Sequence, residues 1–504
     1  MVLLFTTAGQ ELQIIEGGVS VDLTMIAKFL SKNYGKLCYA NETFANCVAA
    51  WTMWYKGYDP KFHTVTSSNG ITRPQRELYR LNMGKRVSED WASIILNEDV
   101  DIVVSSSSKK SSVFVQGTKG NGGVLGTNGF QDVISRSLEL MFALGTSAIV
   151  LDLENISVEE STGKITKTEN TKIKLTPYSA LQIVPISWSV SGITEAAFVS
   201  EFCVKNKTYY LVSSHMLENG VYVIRNDVLS DNYEKASLET TILPYVNTMS
   251  SSPLFYFFKT NIVNNIDLSC PFGVSIFADA LSVLRGVDAC YDACVREVQS
   301  GQRIVMMNKN LLTTDQEGNA IVPQDVKETY MQFFGDEAGQ GMDNFIKEFN
   351  PTLRTSDLDN ELQNQLNMLS SKCGLGTRFY NFNISSGVTA TEYVGERNDM
   401  FRNAHKMSRY VEGVLRQMVQ GILWVGANIM GANVDSNAKV VITVSDGVIE
   451  SDSEKREQDR KDVEMGIMSK EEYRMKWYGE TIEDAASAIA SISGISLSSV
   501  SDFA

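Results

Sequence analysis

The sequence predicts an α+β protein, and three observations carry that prediction. Apolar residues recur at helical spacing through residues 23–96 and again after residue 271. Residues 101–258 switch to the aromatic and β-branched alternation of strands. Residues 390–430 read as a single helix, about 60 Å long at ~1.5 Å per residue. The 504 residues correspond to about three structural regions.

The first region, residues 1–270, opens with Leu23, Ile26, Ala27 and Leu30 on one helical face. A second helix starts near Asn41, with Phe44, Val48, Trp51 and Tyr55 at helical spacing, and residues 57–60 form a turn. Residues 76–96, with Leu78, Leu81, Trp91 and Ile95, are expected to be helical. In the β-rich part, 208–212 and 221–224 flank Asn219-Gly220, a pair suited to the positive φ angles of a type I′ hairpin turn. Residues 172–175 alternate as a half-exposed strand, and a helix over 131–144 interrupts the strands.

The second region begins after Pro271. A helix over 275–300 places Ile276, Ala280, Val283, Val287, Tyr291, Cys294 and Val298 on one apolar seam. Its other face carries Asp279, Arg285, Asp288, Asp292, Arg296 and Glu297, a net charge of −2. A strand over 303–307, a short helix over 324–334 and a loop over 336–341 follow. Leu358, Leu362, Leu366, Leu369 and Cys373 define a second amphipathic helix, with Ser356 and Asp359 at cap spacing and Gly374 as its stop. After the loop 375–388, Thr389 and Glu392 form a capping box for the long helix, and Gly395, Gly413, Gly421 and Gly426 predict a bend in it.

A strand over 439–444 and the turn Asp446-Gly447 lead into a charged third region. Residues 450–464 alternate in sign like an exposed helix. Ser469 with Glu472 caps 470–477, and Thr481 with Asp484 caps a last helix ending near Gly494.

Composition narrows the function. The chain is 43% hydrophobic and 21% charged, ordinary for a packed soluble core. With 45 Lys and Arg against 60 Asp and Glu, its net charge of −15 excludes a basic coat for nucleic acid. No apolar run reaches the ~18 residues of a membrane span, and the amino terminus lacks the basic start of a signal peptide. Seven cysteines in that setting are expected to be free thiols in a reducing cytoplasm.

Catalytic and metal patterns are missing. His63, His215 and His405 lie far apart, and neither HExxH nor CxxC occurs. Cys290 and Cys294 stand one helical turn apart, but two thiolates need about two further ligands, so they read as small core residues. The Gly-rich stretch 117–129 lacks the Gly-Lys-Ser/Thr of a phosphate loop and reads as a surface loop. No GxSxG elbow occurs. The sequence thus predicts no enzyme, no catalytic residues, no metal and no cofactor.

Three stretches together resemble the portal proteins of tailed bacteriophages, particularly siphophages of Gram-positive bacteria. They are Trp54-Tyr-Lys-Gly-Tyr-Asp-Pro-Lys-Phe-His63 with Leu81-Asn-Met-Gly-Lys85; Glu348-Phe-Asn-Pro-Thr-Leu-Arg354 leading through Gly374-Leu-Gly-Thr377 to Ser385-Ser-Gly-Val-Thr-Ala-Thr-Glu392; and Met465-Gly-Ile-Met-Ser-Lys-Glu-Glu-Tyr473 with Tyr478-Gly479. The resemblance implies a portal-type fold: a wing over 1–270, stem helices over 271–300 and 356–374, and a clip over 301–355 between them. It further implies a tunnel-loop region over 375–389, a long helix and wing strand over 390–449, and a crown over 450–504.

Functionally, the resemblance implies a homo-oligomeric ring, usually of twelve subunits, at one vertex of the viral head. The expected partners are the terminase large subunit, which supplies the ATP hydrolysis missing here, the major capsid and scaffolding proteins, a head-completion or adaptor protein, and double-stranded DNA bound without sequence preference. No membrane is involved; assembly is expected in the host bacterial cytoplasm. Ile276, Ala280, Val283, Val287, Tyr291, Leu358, Leu362, Leu366 and Leu369 become the stem seam, and the net −2 face a wall that DNA slides past. Lys372, Arg378, Asn381, Asn383, Ser385 and Ser386 become the residues expected to meet the DNA backbone. Relatives often carry Lys near the Ser-Gly step, where this chain has Gly387-Val388. The competing readings are another virion structural protein, a connector or baseplate component, and a nucleotide-dependent enzyme, which the missing phosphate motif disfavours.

Overall fold

The computed structural model describes residues 21–66, 75–96, 100–105, 109–118, 122–159, 161–189, 192–236, 242–301, 304–308, 331–334, 346–381, 390–444, 452–466, 468–478, 485 and 488–489. Two compact units share the chain: Met1–Ser93 with Asp101–Thr443, and Ile94–Val100 with Val444–Ala504.

The larger unit begins with helices α1 (Leu23–Tyr34), α2 (Glu42–Tyr55) and α3 (Pro60–His63), the paired strands β1 (Thr64–Thr66) and β2 (Gln75–Glu77), and helix α4 (Met83–Ile95). Strand β3 (Asp101–Ser105), helices α5 (Lys109–Gln116), α6 (Val124–Thr127) and α7 (Phe130–Leu144) follow. The strand-rich part comprises β4 (Thr146–Val158), β5 (Ile165–Ser179), β6 (Ile183–Ser189), β7 (Gly192–Val204), β8 (Lys207–Glu218), β9 (Val221–Ser230), β10 (Tyr245–Asn247) and β11 (Phe255–Lys259). Helix α8 (Leu281–Ser300), strands β12 (Ile304–Asn308), β13 (Met331–Phe334) and β14 (Ile346–Phe349), helices α9 (Thr355–Lys372) and α10 (Ala390–Asn428), and strand β15 (Lys439–Thr443) complete it.

Strands β10-β9-β8-β7-β6 form an antiparallel sheet. Its β8–β9 turn has Asn219 at φ 51° and Gly220 at φ 80°, the left-handed pair that Asn-Gly supplies readily. The apolar stripe of α1 (Ile26, Ala27, Leu30) covers this sheet against Val184, Val199, Val212 and Val223. A second sheet, β11-β4-β5, packs against α7 and α10. Long helix α10 buries Met407, Val411, Leu415, Met418, Ile422 and Val425, the four- and three-residue spacing of a core-facing stripe. Between α8 and α9 the chain inserts a mixed sheet in which β12 runs parallel to β13 and antiparallel to β14.

In the smaller unit, α11 (Asp452–Glu464) and α12 (Lys470–Tyr478) follow one another. The expected capping box is present: Ser469 N–H donates to Glu472 Oε2 at 2.9 Å, and Glu472 N–H donates to Ser469 Oγ at 3.1 Å. Trp477 Nε1–H and Lys476 Nζ both donate to Asp459, each at 2.7 Å, tying the helices together.

Several expectations change. The expected helix over 76–96 is β2, then extended chain, then α4, because the backbone N–H groups of Tyr79 and Leu81 are taken by carboxylates of α8 and Asn82 turns left-handed at φ 54°. The helix expected from 275 starts at Leu281; Ala278 N–H and Ala280 N–H bond three residues back in a 3₁₀ turn, and Ile276 N–H bonds Phe142 O. Residues 331–334 form a strand beside β12, not a helix. Helix α9 starts at Thr355, with Arg354 as a cap that makes no side-chain cap bond, so Ser356 and Asp359 do not cap it. The Gly-rich stretch contains the helical turn α6. Cys290 and Cys294 are half-buried rather than core. The remainder of the expected 324–334 helix, the 336–341 loop and the caps at Thr389 and Thr481 lie outside the described residues.

Candidate functional site

Helix α8 leaves the core at a fixed point. Gly145 adopts φ +83°, and a Cβ there would come within 2.4 Å of Gly273 O, so only glycine lets these chains cross so closely. Gly273 N–H donates to Thr146 Oγ1 at 2.9 Å and Ile276 N–H to Phe142 O at 2.9 Å, which sets the start of α8 against α7 and β4.

From there Leu284, Asp288 and Asp292 form one buried stripe. Asp288 accepts His63 Nε2–H at 3.0 Å and Leu81 N–H at 2.9 Å. Asp292 accepts both terminal nitrogens of Arg76 at 2.8 Å, a bidentate pair, and Tyr79 N–H at 3.2 Å. Burial opposes charge on Asp292, but the bonds from Arg76 and Tyr79 and the charge of Arg76 outweigh it and hold the carboxyl below its usual range. Both acids are therefore satisfied by a wing of backbone N–H, ring N–H and guanidinium rather than by solvent.

The partner surface is built for this. His63 is fully buried between Trp54 (ring centroids 5.1 Å), Tyr58 (5.8 Å) and Phe62 (5.0 Å). Its Nδ1 sits 2.8 Å from Asp59 N and 3.1 Å from Asp59 O, and its Nε2 faces Asp288. Gly57, at φ +77°, sits where a Cβ would lie 2.2 Å from Asn82 Oδ1. Arg80 stacks on Tyr58 at 4.8 Å and donates to Gly57 O at 3.2 Å. The first stretch of the resemblance, 54–63 with 81–85, is thus the socket that receives α8.

Helix α9 runs antiparallel to α8. Glu297 binds Arg354 at 2.8 Å, and a Cβ on Gly286 would lie 2.6 Å from Gln365 Oε1; these contacts are eleven residues apart on both helices. The end of α9 is pinned: Trp91 Nε1–H donates to Cys373 O at 2.9 Å and Asn403 Nδ2 to Gly374 O at 3.1 Å. Tyr380 donates to Asp90 at 2.9 Å, and Gln363 Nε2 donates to Tyr380 O at 2.8 Å. Burial pushes the Tyr380 phenol and the Asp90 carboxyl both upward.

The sequence-predicted residues separate accordingly. Lys372, Arg378 and Asn381 are exposed; Asn383, Ser385 and Ser386 lie outside the described residues. Residues 375–381 are anchored through Leu375 and Tyr380, so the loop expected over 375–388 is fixed along its first half. Of the seam, Ile276, Ala280, Val287, Leu366 and Leu369 are buried within one subunit, while Val283, Tyr291, Leu358 and Leu362 are half-buried.

The expected net −2 face does not exist as one surface. Asp288 and Asp292 are buried against the socket, and Glu297 is paired with Arg354. Besides Val298 and Gln299 at its end, α8 exposes Ser282, Arg285, Ala289, Ala293, Arg296 and Ser300, at spacings of three and four. That stripe is basic. The sequence reading missed His63, Arg76, Asp90, Trp91 and Tyr380 as structural partners. One signal was available: two acids one turn apart in a stripe otherwise holding Leu284 and Val295.

His215 is buried between Phe198 and Phe255, and burial pushes its pKa down to about 4. Among the described residues there is no group of His, Cys, Asp and Glu able to hold a metal, and no helix long and apolar enough to cross a membrane.

No curated protein matches the sequence. Among solved structures, a chain from the neck of a native GTA particle is similar at 10% identity, covering 78% of this chain and 88% of that one with a TM-score of 0.38. A family model described as phage portal protein, SPP1 Gp6-like, matches residues 44–489. That span contains the socket, α8, the inserted sheet, α9, the anchored loop and most of the smaller unit, and the chain belongs to this family of phage portal proteins, structural proteins of the head–tail connector.

Proposed function

We propose that the chain assembles into a ring of twelve at one vertex of the phage head and forms the channel through which DNA is packaged and ejected. In this reading α8 and α9 are the stem, β12–β14 the clip, residues 375–389 the tunnel-loop region and α11–α12 the crown. The ring would dock the terminase large subunit, capsid and scaffolding proteins during assembly in the bacterial cytoplasm, and an adaptor protein afterwards.

The observation that supports this most is the lock between α8 and the socket. A channel wall must hold its shape while DNA moves past it. Two buried carboxylates, each with a cationic or ring N–H partner and a backbone N–H, fix α8 against the socket in rotation and in height. Breaking such a pair typically costs ~3–5 kcal/mol, because the remaining charge stays buried. The pattern suits a rigid strut better than a hinge.

The exposed surface at the end of α9 offers Lys372, Arg378 and Asn381 to a phosphate backbone without any means of reading bases. Deleting residues 383–387 tests the assignment, since the anchor at Tyr380 and helix α10 are left intact. Rings and proheads are expected at wild-type yield with less DNA retained per prohead. Wild-type packaging by a well-assembled deletion variant would contradict the loop's role.

A further inference from the structure

The two long antiparallel helices expose stripes of opposite charge. On α8 the exposed stripe carries Arg285 and Arg296, separated by Ala289 and Ala293. On α9 the exposed stripe carries Asp357 and Glu361, followed by Asn364 and Met368. Among the described residues Arg296 makes no ion pair; it lies in the field of Asp292, which Arg76 already satisfies. The exposed Arg285 holds its guanidinium 5.9 Å from the centroid of the Phe62 ring. Arg354, three residues before Asp357 and within its field, is held by Glu297 at 2.8 Å.

We infer that the occupant of the α8 stripe is a second copy of this chain, presenting its α9 stripe. The inference rests on the ring proposed above and names the surfaces that close it. The register of the helices supports it. Glu297 lies level with Arg354, and Gly286 level with Gln365, so Arg296 lies level with Thr355. Asp357 is two residues away, about 3 Å along the helix. Glu361 lies level with Cys290, between the two arginines. In a ring whose axis runs along these helices, rotation leaves heights unchanged, so the same levels meet between neighbouring copies. The side chains of Ala289 and Ala293 are small enough to let the facing helix approach, while the arginines above and below reach its acids. The two stripes are different surfaces on one subunit. Their contact is therefore head-to-tail, which is the kind of contact that closes rings.

The test is a charge exchange in the full-length chain: Arg296→Glu, Asp357→Arg, and the two combined, with ring fraction read by native mass spectrometry and folding by thermal melting. Each single reversal is expected to lower the ring fraction at least tenfold at unchanged melting of the subunit, and the combination to restore most of it. Single variants that assemble like wild type, or a folded combination that fails to recover, would overturn the pairing. If a reversal lowers subunit melting, Arg296→Gln and Asp357→Asn replace it, and are expected to weaken assembly severalfold at 0.15 M salt; unchanged assembly would overturn the pairing equally. Failure of the wild type itself to form rings would instead overturn the ring.

Discussion

Asp288 on α8 accepts a hydrogen bond from Nε2 of His63 at 3.0 Å, joining residues 225 apart in the chain. The histidine's other nitrogen lies within hydrogen-bond distance of both the N–H and the carbonyl oxygen of Asp59, at 2.8 and 3.1 Å. A short helix, α3, thereby hydrogen-bonds a carboxylate on a distant helix, and Leu81 N–H fills the second oxygen. The tie fixes α8 with polar groups that leave little freedom in rotation.

Replacing Asp288 by Ala is expected to cost about 3 kcal/mol, since two buried donors lose their acceptor. Asp288→Asn is expected to cost about 1 kcal/mol, because its oxygen still accepts Leu81 N–H. Denaturant unfolding of the single subunit measures both. Equal losses for the two variants would contradict the account.

Asp292 sets a pH dependence. Its folded pKa lies below the ordinary 3.8, so it adds stability at pH values above that figure and loses it as pH falls through the folded value. Arg76→Gln removes the counterion, and the deficit of this variant relative to wild type is expected to be largest near neutrality and to shrink below about pH 4. Thermal melting from pH 7 to pH 3 checks the trend. A deficit independent of pH would show that Arg76 acts through packing alone.

Leu366 and Leu362 are expected to behave differently. Leu366 is fully buried within the subunit, so Leu366→Arg places an unpaired charge in the core and is expected to cost several kcal/mol and prevent folding. Leu362 is half-buried, so Leu362→Arg is expected to leave a folded subunit that assembles poorly. Circular dichroism of each subunit, with ring yield, separates the two. Normal rings from both would show that neither residue is core or interface.

Much of this fold was legible because local pattern and tertiary role agree. The stripe Ile26, Ala27 and Leu30, the Asn219-Gly220 turn and the long α10 follow directly from spacing and turn chemistry. The segment 76–81 was misread because its periodicity is helical while its N–H groups serve Asp288 and Asp292, partners more than 200 residues away. The same long-range pairing hid the true faces of α8. Acidic residues at Asp288 and Asp292 look solvated in a sequence, and only the positions of His63 and Arg76 reveal that they are buried. Residues 331–334 form a strand because β12 offers an edge, which no local signal announces. The anchor at Tyr380 depends on Asp90, another contact that spacing does not encode.

The most direct test of the account is electron microscopy of the purified full-length protein. Closed rings with a central channel are expected, with class averages of twelvefold symmetry. Compact single subunits alone, under every assembly condition tried, would contradict it.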